Sequence, residues 1–281
     1  MEKKMAFSKE DMKEFEPEAK VGLISTINSE GLPHITLITA LQAKNSKQLI
    51  WGQFTEGMSK KNVMRNPNTA FLIMTMDKSF WRGKAIYTHK AKEGEDYEMF
   101  NRKPMFRYNS YFGIHTVHYM DLVETYGRES LPLAKIVMSS LFTMVSRSKA
   151  KTNLSDPILK PWAYKVFNRL DSLKFLSYIG DDGFPTLIPL IQCQASDSRR
   201  LAFSPFAYED ELLSLENGKE VAIFVLTMDM EDILIRGIFQ GFKGYNAVKL
   251  GTVDIDWVYN SMPPKQGQIY PVEELRPVVN F

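Results

Sequence analysis

Short stretches rich in apolar residues recur along this chain, and clusters of polar turn residues separate them. Residues 21–27 form one such stretch, and the polar run Asn28-Ser29-Glu30-Gly31 follows it. Short apolar runs bounded by turn residues predict strands joined by tight turns. In the first half of the chain we predict strands at 21–27, 34–43, 48–54, 69–76, 82–90 and 113–125. In the second half we predict strands at 172–179, 186–195, 200–206, 220–228, 233–242 and 252–259.

Helical spacing is confined to a few segments. Ser8, followed three residues later by Asp11, predicts a capped first helix. A short helix is predicted to begin at Ser59 and to end before Asn66-Pro67. The capped first helix is predicted at 9–15, and the other predicted helices lie at 131–147 and 162–170. Several short strands, with one small helix between the third and the fourth, are typical of a closed or partly closed β-barrel.

The second half of the sequence repeats the first half at a shift of 152 residues. Gly31 and Pro33 correspond to Gly183 and Pro185, and the match holds from about 25 to 87. A looser match relates MDLV at 120–123 to IDWV at 255–258. A fixed shift over such a span indicates a duplicated domain.

The fold class predicted from these patterns is mainly β, with two tandem barrel domains and flanking helices. We place the first domain, with its trailing helix, at residues 1–150 and the second at residues 151–281. A chain of 281 residues is long enough for two cores of moderate size.

Composition limits the partners and the cellular compartment that we expect for the protein. The formal net charge of +2 does not indicate a nucleic-acid partner. Cys193 is the single cysteine, so an internal disulfide is excluded and a reducing cytoplasm is expected. The longest apolar stretch, 136–145, is much shorter than the roughly 20 residues needed to cross a bilayer. We therefore expect a cytoplasmic protein without a membrane partner.

The segment from Gln53 to Asn62 carries the most chemical information. A strand leads to Thr55, a glycine loop follows, and Ser59 is predicted to cap a helix whose first turn holds Lys60 and Lys61. Backbone amides at a helix start, hydroxyls and ammonium groups together suit a phosphate monoester. A serine cap followed by surface lysines also occurs on many helices that bind nothing, so the segment alone leaves both readings open.

The order of these elements resembles that of the pyridoxamine 5′-phosphate-oxidase-like FMN-binding split barrels. The elements that carry the resemblance are Gly31-Leu32-Pro33, the strand at 34–41, Phe54-Thr55, Ser59-Lys60-Lys61 and Asn66-Pro67. The resemblance covers nearly all of the first half and, more weakly, the strands of the second. It implies two tandem split barrels with FMN as the cofactor.

The resemblance also implies which residues hold that cofactor. Thr55, Ser59, Lys60 and Lys61 would hold the FMN phosphate. The second strand, at Thr36, Leu37 and Ile38, would lie along the isoalloxazine, with Gln53 nearby and Phe54 beside Thr55. The true oxidases have an arginine and a lysine where this chain has Thr36 and Leu41. The resemblance therefore concerns fold and cofactor, not the pyridoxamine 5′-phosphate reaction.

Other residues admit two interpretations. Lys84 and Arg236 occupy matched positions and could stabilise a reduced flavin, or could be solvated strand cations. The aromatic residues Trp51, Trp81, Phe80 and Tyr87 could stack on a flavin, but such residues more often fill a barrel core. The four histidines, His34, His89, His115 and His118, do not form a metal-ligand pattern, so no metal site is expected.

The two halves differ at the phosphate motif. Shifting Thr55, Ser59, Lys60 and Lys61 by 152 gives Ala207, Glu211, Leu212 and Leu213. A glutamate there would repel a phosphate, so we predict one flavin per chain, held by the first half. Family members are typically homodimers with flavin between two barrels. The flavin site is therefore completed either by the second half of the same chain or by a second chain.

The function implied by the resemblance is that of an FMN-binding flavoprotein. The first alternative is an oxidoreductase that transfers electrons or hydride with NAD(P)H or another small molecule. The second is a flavin carrier or sensor without turnover, and the third is a haem- or deazaflavin-binding split barrel. No catalytic residue is assigned, because flavin chemistry needs few protein acids or bases.

Overall fold

Two sheets of eight strands each dominate the fold. The computed structural model describes residues 2–54, 56–106, 113–152, 156–260 and 267–271. The strands of the first sheet are β1 Val21–Ile27, β2 Pro33–Leu37, β3 Gln42–Asn45, β4 Gln48–Gln53, β5 Asn68–Met74, β6 Ser79–Ala91, β7 Thr116–Thr125 and β8 Glu129–Ser130. Those of the second sheet are β9 Leu173–Ile179, β10 Pro185–Pro189, β11 Gln194–Ala195, β12 Arg200–Phe203, β13 Glu220–Leu226, β14 Asp232–Tyr245, β15 Val248–Asn260 and β16 Gly267–Tyr270.

The same strand order occurs in both sheets. The first runs β2-β1-β5-β6-β7-β4-β3, with β8 on β6, and the second runs β10-β9-β13-β14-β15-β12-β11, with β16 on β15. Adding eight to each strand number of the first path gives the second. Over the residues that the structure describes, neither sheet closes on itself. The predicted fold class, two tandem split barrels related by an internal repeat, is therefore confirmed.

Six helices are described: α1 Lys9–Glu14, α2 Met58–Val63, α3 Glu95–Arg102, α4 Leu133–Ser146, α5 Pro161–Asn168 and α6 Glu209–Leu213. The predicted cap of the first helix is confirmed, because the Asp11 amide donates to the Ser8 hydroxyl and the Ser8 amide donates to the Asp11 carboxylate, each over 3.0 Å. Among the described residues, no helix combines the length and the apolar character needed to cross a bilayer.

Equivalent backbone hydrogen bonds extend the repeat beyond the range visible in the sequence. The Phe7 amide donates to the Ser46 carbonyl over 2.8 Å. At a shift of 152, the Leu159 amide donates to the Ser198 carbonyl over the same distance, 2.8 Å. Corresponding positions in the two halves can therefore be compared from residue 7 onward.

The predicted strands at 34–43 and 186–195 are each wrong as single strands. Each is interrupted, giving β2 and β3 in the first half and β10 and β11 in the second. The interruption is a turn, in which the Leu41 amide donates to the Ile38 carbonyl over 3.1 Å. Ile38 and Leu41 are both buried. The apolar pattern therefore continues through a turn and gives no sign of the break.

The loose match between 120–123 and 255–258 is wrong by two residues. Gln48 lies opposite Asp121 on β7, and Arg200 lies opposite Asp254 on β15. Since Gln48 and Arg200 are equivalent, Asp121 corresponds to Asp254. The polar pairing is kept in both halves: Gln48 donates to Asp121 over 2.9 Å, and Arg200 forms an ion pair with Asp254.

The chain divides into two compact units that interleave in sequence. The first comprises Met1–Leu133 with Leu176–Ile188, and the second comprises Ala134–Phe175 with Pro189–Phe281. Within the first unit, the hydroxyls of Ser25 and Ser177, which are 152 residues apart, lie 2.7 Å from each other. The domain boundary near residue 150 stays a prediction about the duplicated sequence.

Aromatic residues fill the core beside α1 in the first unit. Phe15 meets Phe7 edge to face at 5.3 Å and Trp81 at 5.0 Å between ring centroids. The Trp81 indole donates to the Asp11 carboxylate over 2.7 Å, so this buried ring has its polar atom satisfied. This aromatic cluster joins α1 to β5 and β6.

Candidate functional site

The helix that carries the phosphate motif starts earlier than predicted. Gly57 is the N-cap residue of α2, and no side chain among the described residues caps the helix. Ser59 lies inside the first turn, so its predicted role as the cap is wrong. Gly57 takes the cap position with extended backbone, at φ −179°. The Ser59 hydroxyl is therefore not used by the helix start.

Ser59 is completely buried, and its Oγ has no hydrogen-bond partner among the described residues. Asn62, one turn later, donates to the Thr26 hydroxyl on β1 over 2.9 Å and fixes α2 against the sheet. Buried hydroxyls are nearly always hydrogen-bonded in folded proteins. The Ser59 Oγ is thus the first indication that this place receives a group from outside the described chain.

The Lys60 side chain folds back over the start of α2. Its ammonium lies 6.0 Å from the centre of the Trp51 ring, and a Cβ on Gly57 would lie 3.2 Å from it. Burial lowers the pKa of Lys60 to about 8, against a smaller opposing effect of the Glu56 carboxylate. Within the described part of the chain, Lys60 forms no ion pair. An anion placed here would therefore meet a poorly solvated positive charge.

A buried polar chain lies next to Lys60. The His118 ring stacks on Trp51 at 3.9 Å between centroids, and its Nε2 lies 2.8 Å from the Gln53 Oε1. Gln53 in turn donates to Glu56 over 3.4 Å. Because the Gln53 oxygen accepts, His118 carries its proton on Nε2. Burial, followed by Lys60 and Lys90, lowers the pKa of His118 to about 3, so the ring is neutral near pH 7.

The structure brings together only some of the predicted site residues. Gln53, Ser59 and Lys60 lie near one another at the start of α2, together with Trp51 and His118, and these five residues are called the α2 cluster. Lys61 follows Lys60, and its side chain is exposed. Thr55 lies outside the described residues. The roles predicted for the remaining residues stay predictions.

The predicted flavin-facing strand is partly regular. Thr36 and Leu37 lie on β2, and Ile38 is the first residue of the turn that follows it. Thr36 is half-buried, and its Oγ1 has no hydrogen-bond partner among the described residues. Phe54 packs against Phe106, with 5.9 Å between ring centroids.

Lys84 is engaged elsewhere on the first sheet. Its ammonium forms ion pairs with Asp182 and, at 3.4 Å, with Glu124. Burial acts to lower the pKa of Lys84, but the hydrogen bond and charge of Asp182 outweigh burial and raise it. Lys84 thus has carboxylate partners, whereas Lys60 has no such pair within the described chain.

Sequence reasoning did not predict that Trp51 and His118 stack on each other beside Lys60; it left Trp51 as either a flavin-stacking or a core residue and gave His118 no role in the site. They are direct cross-strand partners on β4 and β7. Their separation of 67 positions gives no local signal, and only the register of two strands distant in sequence brings them together. Glu56 was also missed, although it lies inside the motif.

The equivalent place in the second half has the opposite chemistry. The helix α6 begins with Glu209, Asp210 and Glu211 in its first turn. Leu212, which corresponds to Lys60, is completely buried. Three carboxylates and a buried leucine do not favour a phosphate.

Solved structures of other proteins match parts of this chain at low identity. No protein-family model and no curated protein sequence matches the chain. Among solved structures, HupZ of group A Streptococcus is 16% identical, with a TM-score of 0.36, over 43% of this chain and 93% of that chain. An FMN-binding protein from Syntrophomonas wolfei is 15% identical, with a TM-score of 0.33, over 39% and 77% of the two chains. A pyridoxamine 5′-phosphate oxidase candidate from Lactobacillus delbrueckii is 14% identical, with a TM-score of 0.36, over 45% and 99%.

The same strand order occurs in both sheets. The protein is therefore a tandem pair of split β-barrels. The ligands named for the matched proteins belong to those proteins.

Proposed function

We propose that the chain binds FMN and that the start of α2 holds its phosphate. The observation that carries the proposal is the pairing of a buried, partnerless Ser59 hydroxyl with the half-buried Lys60 ammonium one residue later. A phosphate monoester is a dianion with several acceptor oxygens, and it satisfies both groups at once.

The residues of the α2 cluster fit such an anion. Lys60 contributes a charge that solvent screens weakly, and exposed Lys61 adds a second charge at the surface. The neutral His118 neither repels nor attracts the anion. Glu56 is exposed, so water weakens its repulsion of a nearby phosphate. Thr55 completes the motif in the sequence resemblance.

The isoalloxazine is assigned by the same resemblance to Thr36, Leu37 and Ile38, with Gln53 nearby. Two features support this assignment. Thr36 keeps a hydroxyl without a described partner, and Gln53 is held in one orientation by His118. A glutamine fixed in this way presents its amide group in one orientation to an adjacent isoalloxazine ring.

We further propose an oxidoreductase that exchanges electrons or hydride with NAD(P)H or another small molecule. The bound flavin supplies the redox chemistry. The chain's own residues bind the cofactor: Lys60 and Ser59 hold the phosphate, and the Trp51–His118 stack lies beside them.

The proposed phosphate-binding site is tested by removing the positive charges of its two lysines. We expect Lys60→Ala with Lys61→Ala to weaken FMN binding more than about tenfold, because charge-assisted hydrogen bonds contribute roughly 1.5–3 kcal/mol each. Fluorescence titration of the cofactor-free protein measures the dissociation constant. Lys243→Ala with Lys249→Ala, two exposed lysines of the second unit, is the matched control. Equal affinity of the double variant and this control would place the phosphate elsewhere.

Two further measurements refine the proposal. Heat-released cofactor should run with FMN standards, and FAD as the main species would contradict a seat for a terminal monoester. Anaerobic bleaching of the flavin spectrum by NADH or NADPH should separate the enzyme from a carrier, for which we expect no bleaching.

A further inference from the structure

The helix α4 of the second unit has an apolar outer face. Its exposed residues from 134 to 146 include a single charged one: Ala134, Lys135, Val137, Met138, Leu141, Met144 and Val145. Val137 is 58% exposed and Val145 is 60% exposed. We call Val137, Met138, Leu141, Met144 and Val145 the α4 face. In an ordinary surface helix such apolar residues face the protein core.

The opposite side of α4 is polar and packs on its own unit. The buried polar residues of this side are Ser139, Ser140, Thr143 and Ser146. The Gln194 side chain donates to the Ser140 carbonyl over 3.0 Å, and the Ser204 amide donates to the Thr143 hydroxyl over 2.9 Å. The usual arrangement, with the polar side in water, is therefore inverted in α4.

The first half has a helix beside the equivalent glutamine, and the outer face of that helix is charged. Gln42, which corresponds to Gln194, donates to the Met99 sulfur of α3 over 3.4 Å, and its oxygen accepts from Lys103 over 3.0 Å. The exposed residues of α3 are Glu95, Glu98 and Arg102. A helix at this place in the fold can therefore be covered by water alone, and the apolar α4 face indicates a partner.

The apolar surface around α4 has the size that a pair of chains needs. Phe206 extends it, because this ring is 41% exposed and lies 5.9 Å from the Phe142 ring on α4, measured between centroids. These half-exposed side chains make a patch on the order of 600 Å², the upper end for a monomer. Two such patches together bury on the order of 1,200 Å², which reaches the range of stable protein–protein interfaces.

The spacing and the charge of the α4 face favour a second copy of the same helix. Met138, Leu141 and Val145 follow each other at three and four residues, which is the spacing of a helix–helix seam. Lys135 lies at one end of the face. In an antiparallel pair the two Lys135 side chains are far apart, and each lies near the carboxyl end of the other helix, where the helix dipole favours a cation. In a parallel pair they would lie side by side and repel each other.

An anionic membrane fits the α4 face less well. Residues 131–155 include four cations and no carboxylate. Helices that lie on a membrane carry lysines and arginines along their polar side, whereas the polar side of α4 consists of serines and a threonine that pack on protein. Arg147, just after the helix, donates to the Asn168 side chain and to the Ala195 carbonyl. The cations therefore do not line the apolar face.

We propose that the α4 face is the interface of a homodimer, in which α4 pairs antiparallel with α4 of a second copy about a twofold axis near Leu141. The same residues then meet on both sides, as in other twofold interfaces. The α2 cluster contributes no residue to this interface, so the proposal does not depend on the proposed flavin site.

The oligomeric state of the full-length protein tests the proposal. Sedimentation equilibrium at pH 7 should give twice the chain mass of 32.3 kDa. Leu141→Glu should weaken the dimer at least about tenfold, because it buries two carboxylates beside each other at the axis. Leu170→Glu changes another exposed leucine of the second unit and should leave the dimer intact. A monomer at all concentrations, or an equally stable dimer in Leu141→Glu, would overturn the proposal.

Disulfide cross-linking tests the orientation of the two helices. Leu141→Cys should form a covalent dimer on mild oxidation, because the two copies of residue 141 meet at the axis. Ala134→Cys should not, since seven residues of helix on each side of the axis separate its two copies by about 20 Å, which is too far for a disulfide. The natural Cys193 is buried. Cross-linking of Ala134→Cys as readily as Leu141→Cys would refute the antiparallel pair.

Cosedimentation with phosphatidylglycerol vesicles tests the alternative partner. We expect the wild-type protein to remain a dimer in the supernatant. A wild-type monomer that sediments with the vesicles, together with loss of that binding in Leu141→Glu, would assign the α4 face to lipid and refute the proposal.

Discussion

Lys60 illustrates how a single side chain can be costly to the protein alone and useful with a ligand. Its ammonium is withdrawn from water and forms no ion pair within the described residues. Burial therefore disfavours the charged form of Lys60 relative to the neutral amine. Gly57 leaves room for this folded-back conformation, because a side chain there would meet the ammonium. A bound phosphate would offset that cost.

This balance predicts a pH dependence of FMN binding. The pKa of Lys60 is about 8 in the protein without ligand, and a phosphate dianion favours the ammonium and raises it. The complex therefore holds a proton that the ligand-free protein loses above pH 8. Affinity should be constant from about pH 7 to 8 and fall as the pH rises further, by up to about tenfold per unit.

Titrations of FMN between pH 7 and 10 measure this effect, with Lys60→Arg as the control. Arginine stays charged over the whole range, so its profile should be flat. A profile with the same alkaline decline in Lys60→Arg would assign the titration to another group.

The residues of the site could be predicted only in part. Local order in the sequence predicts that Ser59 and Lys60 lie together at the start of α2, because motif residues are close in the chain, and the structure shows this placement. The sequence could not show that Ser59 is buried inside the first turn, since Gly57 and Ser59 are both acceptable caps. The contact of His118 with Trp51 depends on strand register, which no local pattern encodes.

At the scale of elements, β14 shows how two strands approach closely at an irregularity. The register between β14 and β15 shifts between Arg236 and Gly237. A Cβ on Gly237 would lie 2.0 Å from the carbonyl oxygen of Asp254, whereas a Cβ on Gly244, further along the same strand, would have nothing within 4 Å. Only the first glycine is needed for the close approach.

We expect Gly237→Ala to destabilise the protein by about 1–3 kcal/mol, because the backbone must move to accept the methyl group. Gly244→Ala should change the free energy of unfolding by no more than about 0.5 kcal/mol. Urea denaturation followed by circular dichroism gives both values. Equal stability of the two variants would show that the strands accommodate the added Cβ without cost.

Elements were predicted well where a short apolar stretch ends in a cluster of turn residues. The predicted strand at 21–27 and its turn are an example. Prediction failed where buried apolar residues occupy a turn, as at Ile38 and Leu41, because hydrophobicity there reports burial and not the strand period.

For the whole molecule, the asymmetry between the halves predicts one FMN per chain. The first half has Lys60 in the motif, and the second has Leu212 preceded by three carboxylates. Flavin absorbance against protein concentration, measured on the saturated full-length chain, should give a ratio of one. A ratio of two would reveal a second seat, and Lys60→Ala with Lys61→Ala would then remove only half of the flavin.

A chain that ends near residue 150 does not by itself show whether the second half of the same chain completes the flavin site. The first unit includes Leu176–Ile188, and Asn68 donates to the Gly183 carbonyl there over 3.0 Å. The buried guanidinium of Arg82 donates to the Leu187 carbonyl over 2.9 Å. A chain ending at 150 lacks these partners, so poor FMN binding could reflect lost stability.

The aromatic pair Phe7 and Trp81 corresponds, at the shift of 152, to the smaller buried residues Leu159 and Ile233, and this difference has a consequence for how such a protein can evolve. In an assembly of identical subunits, every mutation is expressed in each copy at once, and a change that opens one core opens all of them. Joining the copies in one gene removes that constraint. One half can retain a filled interior that supports folding while the other accumulates substitutions that a symmetric ancestor could not tolerate in duplicate.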